Sequence, residues 1–260
     1  MKKLIYLIVL ILVLGLIVTG CDNPVVPPAE QDELGSQTED GGTVTVKESL
    51  TVTLTLLDHA GKGLAGGKVK WADGSWHGVT GQTDNNGKIT FIISNPNYNK
   101  IAMTYNQGTV VQNRVQLETS GYKWQTVQLR IWLKDHNGNA ITDQCGRVDQ
   151  GGGYWYHHGY TNSSGYLDVE LFARTAPYKF RMTYNYTSKT QYPVVSAGGG
   201  SQVFQTQLAV VRLRENCTAK MIDGAKVSYA GGSWRSFGTT GDDGVGTGSV
   251  SKELFPGNRK

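Results

Sequence analysis

The chain has 260 residues and a formal charge of +4; 18% of residues are charged, 38% apolar, and 34 are glycine, 13 tyrosine and 6 tryptophan. That length allows one or two domains. The mix is rich in Gly and aromatic residues and lacks long runs of Ala, Leu, Glu and Lys, which excludes a helical bundle and implies all-β structure with many turns; no Arg/Lys cluster supports a nucleic-acid surface.

The N-terminus is a separate object. Lys2-Lys3 precede an apolar run over 4–18, too short to span a membrane and long enough for the core of a signal peptide, predicted here over 1–20. Val18-Thr19-Gly20-Cys21 resembles the lipobox of bacterial lipoproteins. The resemblance implies cleavage before Cys21, lipidation of its sulfur, and two or three acyl chains. At about 0.8 kcal/mol per buried methylene, these anchor stably where one chain does not. The alternative is an ordinary secretory signal with an incidental Cys21. In a Gram-negative envelope, Asp22 after such a cysteine implies retention at the inner membrane.

Residues 22–42 carry Pro24, Pro27, Pro28 and six acids, with no Lys or Arg. Such a stretch has too little apolar surface to fold, so 21–42 is predicted to be a lipidated cysteine on a disordered acidic tether. Without Lys2, Lys3 and the six tether acids, the formal charge of the remainder is about +8.

From about residue 43 the sequence repeats. Val69, Val148 and Val227 are 79 residues apart, as are Trp76, Trp155 and Trp234, and Met-Thr-Tyr-Asn stands at both 103–106 and 182–185. The predicted units are 43–125, 126–205 and a partial third, 206–260. Each opens on an alternating strand (51–58, 127–135, 207–215), turns through Asp58-His59 or Asp135-His136, and forms a second strand at Val69, Val148 or Val227. A glycine-rich loop then carries the Trp and ends in Thr, three polar residues and Gly, a tight turn that falls at Gly87, Gly165 and Gly244. The strand 88–94 or 166–172 follows, then the Met-Thr-Tyr-Asn strand and a last strand containing Val115 or Val194.

Alternation assigns the faces. Val127, Leu129, Ile131 and Leu133 point one way, and Gln128, Arg130, Trp132 and Lys134 the other. Ile101, Met103 and Tyr105 match Phe180, Met182 and Tyr184. One apolar face per strand implies two sheets packed face to face, and about seven short strands per unit fit an immunoglobulin-like or prealbumin-like sandwich.

The run Asp-x-x-Gly, Leu or Ile, Gly-x-x-Val and Thr-x-x-x-Gly resembles the Cna B-type and carboxypeptidase-regulatory-like domains of bacterial surface proteins. Phe180-Arg181-Met182-Thr183-Tyr184-Asn185, Trp234-x-x-Phe237-Gly238-Thr239-Thr240 and 250–257 resemble a repeat found in tandem in exported bacterial proteins. The resemblance covers about 43–260 and implies tandem β-sandwich repeats of about 79 residues, the third truncated. By the repeat, further strands belong after Gly257. A loosely ordered third unit, strands donated by another chain, or a truncated reading frame each account for the shortfall.

Two readings of Trp76, Trp155 and Trp234 stand. They cap each sandwich core, or they form an exposed strip on which sugars stack. Capping is preferred, because a residue repeated in every unit more often serves the fold, and it predicts buried rings. Trp132 is phased outward, either between units or as a contact residue. Tyr154-Trp155-Tyr156-His157-His158 is an aromatic loop. Its adjacent histidines point to opposite faces of a strand and make no metal site. Cys145 and Cys217 occupy non-equivalent places and are expected as free thiols. Acids such as Asp135, Asp168 and Glu170 lie in turns or on outward positions, and no nucleophile motif or phosphate-cradling loop appears. No catalytic residue, metal or cofactor is predicted.

The sequence therefore predicts a non-catalytic lipoprotein of the cell envelope that displays structural or adhesive β-sandwich repeats. Its predicted partners are the lipid bilayer, through acylated Cys21, and a cell-surface polysaccharide or protein. The alternatives are a carbohydrate-binding protein, with contacts at Trp76, Trp132, Tyr154, Trp155, Tyr156 and Trp234, and a fragment of a larger repeat protein.

Overall fold

Strands form where β-branched and apolar residues alternate with polar ones, and the burial along β1 (Leu50–Leu57) shows the consequence: Val52, Leu54 and Leu56 are fully buried, while Thr51, Thr53 and Thr55 face outward. The structure, a computed structural model, describes residues 49–93, 99–115, 121–230, 233–241 and 248–256. The signal peptide, Cys21, Asp22 and the tether lie outside the described residues. The chain partitions between Thr45 and Val46, and every described residue falls on the C-terminal side.

The first seven strands make one module. They are β1, β2 (Lys68–Ala72), β3 (Trp76–Gly78), β4 (Lys88–Ile93), β5 (Asn99–Tyr105), β6 (Gly108–Val115) and β7 (Lys123–Gln125). One sheet runs β4-β1-β7 and the other β3-β2-β5-β6. Their inner faces meet in a core of Val52, Leu54, Leu56, Val69, Ile101 and Met103, among others. The second module repeats the plan with β8 (Val127–Lys134), β9 (Arg147–Gly151), β10 (Trp155–Tyr160), β11 (Tyr166–Leu171), β12 (Lys179–Tyr184), β13 (Thr187–Gln191) and β14 (Gly200–Gln205). Its sheets are β11-β8-β14 and β10-β9-β12-β13. Registers recur too: Val69 pairs with Met103, and Val148 with Met182. The third module has β15 (Gln207–Arg212), β16 (Lys226–Ala230), β17 (Trp234–Thr239) and β18 (Ser249–Leu254), paired β15-β18 and β16-β17. The protein is all-β, built from several small sheets.

Two expectations need correction. The Trp-bearing segment is the return strand of a hairpin, not a loop: β3, β10 and β17 each begin at the Trp. The last strand of the second unit does not contain Val194, which is 61% exposed; Val195 is the buried residue, and the sheet is completed by β14 in parallel with β8, as β7 completes the first against β1. In the third unit Gly244 falls outside the described residues, and Gly248 takes the corresponding hydrogen-bonded position. The Gly248 carbonyl accepts the Leu213 N–H at 2.8 Å, as Gly87 does for Leu56 and Gly165 for Leu133. Gly87 and Gly165 have φ of 74° and 81°, and a Cβ on Gly87 would lie 2.0 Å from the Leu56 carbonyl oxygen, so only glycine fits. The motif threonine has a separate task. Thr83, buried, accepts the Gly67 N–H and donates to the Leu64 carbonyl; Thr161 and Thr240 accept the equivalent Gly146 and Ala225 N–H groups.

Successive modules meet through the same joint, used twice. Phe172, just after β11, is buried in the core of the first module, and Phe255, just after β18, in the core of the second, 6.3 Å edge-on to Phe204. The Glu170 carboxylate takes the Thr126 hydroxyl and the His59 imidazole; that of Glu253 takes Thr206 and His136. Asn106, at the tip of the β5–β6 hairpin, donates its amide to the Glu170 carbonyl at 2.9 Å, and Asn185 to that of Glu253 at 3.1 Å. The Asn106 carbonyl accepts from Gln150 at 2.8 Å, and that of Asn185 from the Tyr229 hydroxyl at 2.6 Å. This explains why Met-Thr-Tyr-Asn recurs. Met103 and Met182 fill cores, Thr104 and Thr183 bond across the hairpin to Thr109 and Ser188, and the asparagine engages the next module. Asn106-Gln107 and Asn185-Tyr186 all have positive φ (43°, 57°, 46° and 58°), as a two-residue hairpin turn demands. Glycine would sit more cheaply at the second position. Gln107 and Tyr186 stand there with side chains that reach the next module: Gln107 to the Gln150 carbonyl at 3.5 Å, Tyr186 under Arg235 at 4.2 Å.

Candidate functional site

The three repeated tryptophans are exposed, not buried: Trp76 at 49%, Trp155 at 36% and Trp234 at 77%. The core-capping expectation is overturned, and strand phase gives the reason. Val69 and Trp71 take the core face, which puts Lys70 and Ala72 on the other; Ala72 is itself covered (6% exposed), and Trp76 pairs with it on that outer face. Trp155 pairs with Gly151 and Trp234 with Ala230 in the same way. The small partner leaves room for the ring. A Cβ on Gly151 would lie 3.1 Å from the Trp155 ring and 2.9 Å from the Lys179 side chain.

Around Trp155 stand cations. The Arg181 guanidinium lies 4.2 Å and the Lys179 ammonium 4.9 Å from the ring centroid. Beside them Asp149, almost wholly buried, accepts from Arg181 at 2.9 Å and Arg147 at 3.0 Å, with His157 at 3.3 Å. Burial pushes its carboxyl pKa up, but the hydrogen bonds from Arg181 and Arg147 outweigh this and hold it below the usual carboxylate range. His157 and His158 part as expected: His158 turns inward to Gln150 (2.7 Å) and toward Phe180. Burial, reinforced by His157, pushes its pKa down to about 4, so it is neutral at pH 7.

Trp132 lies on the other sheet of the second module. It pairs with Tyr166 at 4.9 Å between ring centroids, with Arg130 and Lys134 at 5.9 and 5.6 Å; Arg130 also forms a two-pronged ion pair with Asp168. These contacts are all within its own module.

Tyr154 and Tyr156 come together at the first joint. They line a cleft of about 480 Å³ with Lys68, Gln82, Tyr105 and Gln107. Burial, aided by the Glu170 charge, pushes the Tyr105 phenol upward, keeping it an O–H donor at neutral pH. A larger cavity of about 710 Å³ lies near His59, Gln125, Gln128 and Arg130 and has no Trp, Tyr or Phe ring in its lining. Cys145 and Cys217 are unpaired and exposed.

The six sequence-predicted contacts therefore fall in three places: Trp76, Trp155 and Trp234 on edge strands, Trp132 on the opposite sheet, and Tyr154 with Tyr156 in the joint. Lys68, Gln82, Gln107, Lys179 and Arg181 were not singled out. Only the Met-Thr-Tyr-Asn repeat hinted at the joint, and its asparagine read as a strand end.

No family model matches the sequence, and no curated protein matches it. Solved structures similar to the chain include the Bacillus anthracis TIE protein (12% identity, TM-score 0.26, 78% of this chain and 43% of that one). They also include the shaft pilin spaA of Lactobacillus rhamnosus GG (10%, TM-score 0.27, 62% and 98%) and BcpA, the major pilin subunit of Bacillus cereus (10%, TM-score 0.24, 80% and 85%). The chain thus spans 43% of the length of the B. anthracis protein. The all-β architecture of the described residues rests on the chain's own strands and registers.

Proposed function

We propose that the chain is a non-catalytic adhesive module displayed from the cell envelope, with the exposed aromatic side chains as its contacts. It is anchored by lipid on Cys21 after removal of 1–20, held off the bilayer by the tether 21–42, and built of units 43–125, 126–205 and 206–260. The observation that carries the adhesive reading is the exposure of Trp76, Trp155 and Trp234 at one register position in three modules. Burying a large apolar side chain is worth roughly 1.5–3 kcal/mol. Leaving three in water at equivalent positions forgoes that stability, and apolar groups displayed in this way suit contact with a partner. Flat indole rings beside amines and guanidinium groups suit sugars, whose C–H faces stack on rings while hydroxyls take the polar groups.

A glycan array probed with the intact chain tests the reading. Binding is expected to at least one glycan class and to be lost in Trp76→Ala/Trp155→Ala/Trp234→Ala. A triple variant that binds as the parent does removes the tryptophans from the contact. For the anchor, metabolic acyl labelling is expected in the parent and absent in Cys21→Ala.

A further inference from the structure

The first joint is more than a fastening. Its cleft lies where the β5–β6 hairpin of the first module meets β9 and β10 of the second, and Tyr105, Tyr154 and Tyr156 supply its rings. Tyr154 is 69% and Tyr156 42% exposed, so both rings are open to a ligand. Lys68 supplies a cation and Gln82 and Gln107 amides; among the described residues lining the cleft there is no carboxylate.

The Tyr156 wall is held before any ligand arrives. The Tyr156 ring sits edge-on to His158 at 5.0 Å, and the His158 Nε2–H donates to the Gln150 side-chain oxygen at 2.7 Å. Gln150 in turn donates to the Asn106 carbonyl at 2.8 Å, and the Asn106 amide is tied to the Glu170 carbonyl. One network therefore ties the Tyr156 side of the cleft to the hairpin that forms the opposite side, which lowers the ordering that binding must supply there.

Cations accompany rings elsewhere on the same molecule: Lys179 and Arg181 at Trp155, Arg235 at Tyr186, and Lys252 at Tyr229. The acid paired with Arg181, Asp149, is already engaged by Arg147 and His157 as well. The Glu170 charge reaches Tyr105 from behind the cleft, but its carboxylate is engaged by His59 and Thr126 and is not part of the lining. Rings that take sugar faces, next to a cation with no carboxylate in the lining, complement a saccharide that carries negative charge.

We propose that the cleft at the first joint is a subsite for a polysaccharide bearing carboxylate or phosphate groups. Sugar rings stack on Tyr154 and Tyr156, Lys68 pairs with the anionic group, and Gln82 and Gln107 bind hydroxyls. The proposal rests on the adhesive reading above and adds to it the ligand's class and a place.

The test uses the intact chain in detergent, titrated with polygalacturonate and with the same polymer after carboxyl reduction. Affinity for the acidic polymer is expected to exceed that for the reduced one at least tenfold and to fall with salt. Tyr154→Ala/Tyr156→Ala is expected to lose at least tenfold, Tyr154→Phe/Tyr156→Phe to bind as the parent does, and Lys68→Gln to weaken binding and flatten its salt dependence. Equal affinity for both polymers overturns the anionic class and leaves the carbohydrate reading standing. Binding untouched in Tyr154→Ala/Tyr156→Ala but lost in the tryptophan triple variant overturns the place alone. Binding to neither polymer overturns this proposal, and the array then decides the adhesive reading separately.

Discussion

The two joints share a skeleton and differ in what surrounds it. Both insert a phenylalanine into the preceding core, both close a His–Glu–Thr cluster, and both seat an asparagine. At the first joint, however, the asparagine carbonyl is held by Gln150, which is backed by His158; at the second it is held by Tyr229, which packs edge-on to Phe237 at 6.0 Å. Behind the first joint lies a module with its own large core, whereas among the described residues of the third module only Phe237 and Val250 join Phe255 as buried apolar side chains. The first module shows the converse. Its residue equivalent to Glu170 is Ile92, 67% exposed, and its equivalent of Gln150 is Trp71, covered by its own His77 at 4.4 Å. A joint of this kind is thus a property of particular side chains added to a common sandwich, and it can be tuned without altering the sandwich.

The sharpest way to separate the joints is to remove the phenylalanines. Phe172→Ala and Phe255→Ala are each expected to cost about 3–5 kcal/mol. The consequences differ: Phe172→Ala lowers the melting temperature of the first two modules together, while Phe255→Ala frees the third to proteolysis and leaves a resistant fragment ending near residue 205. Calorimetry and limited proteolysis read the two outcomes, and identical patterns would break the contrast.

Acid comes next. The folded pKa of His158, about 4, lies below its unfolded value of 6.5. Its contribution to stability is complete above pH 6.5 and is lost as pH falls toward 4, because the unfolded chain binds the proton first; the loss reaches about 3 kcal/mol. Phe237 stands at the equivalent position of the third module, so the effect is confined to the second. Denaturant melts between pH 7 and pH 4 are expected to lose much of their slope in His158→Phe.

Glu170→Ala and Glu253→Ala leave a histidine and a threonine without their acceptor and are each expected to cost about 1–3 kcal/mol. The two values are expected to agree more closely than those of the phenylalanine pair. Trp155→Ala is expected to cost less than about 1 kcal/mol, since the ring is a surface group, while abolishing its share of ligand contact.

Much of the fold was legible in the sequence. The alternation in 127–134 assigned Leu129, Ile131 and Leu133 to a core and Trp132 to solvent, because a strand's side chains switch faces at every residue whatever packs on them. The tryptophans were misread because their face depends on register: nothing local to Trp155 says that it pairs with Gly151 and not with a residue one step away. The aromatic character of 154–156 was visible, but the cleft was not, since Lys68, Gln82 and Gln107 come from another module.

The sequence by itself determined the repeat, the strand phases and the turn chemistry, all set by interactions among near neighbours along the chain. Only the tertiary structure decided what lies at each module's ends. Glu170 and Asn106 look like solvated polar residues in their own segments, and they became partners because Phe172 docks one module on the next and brings groups 64 residues apart within hydrogen-bonding distance.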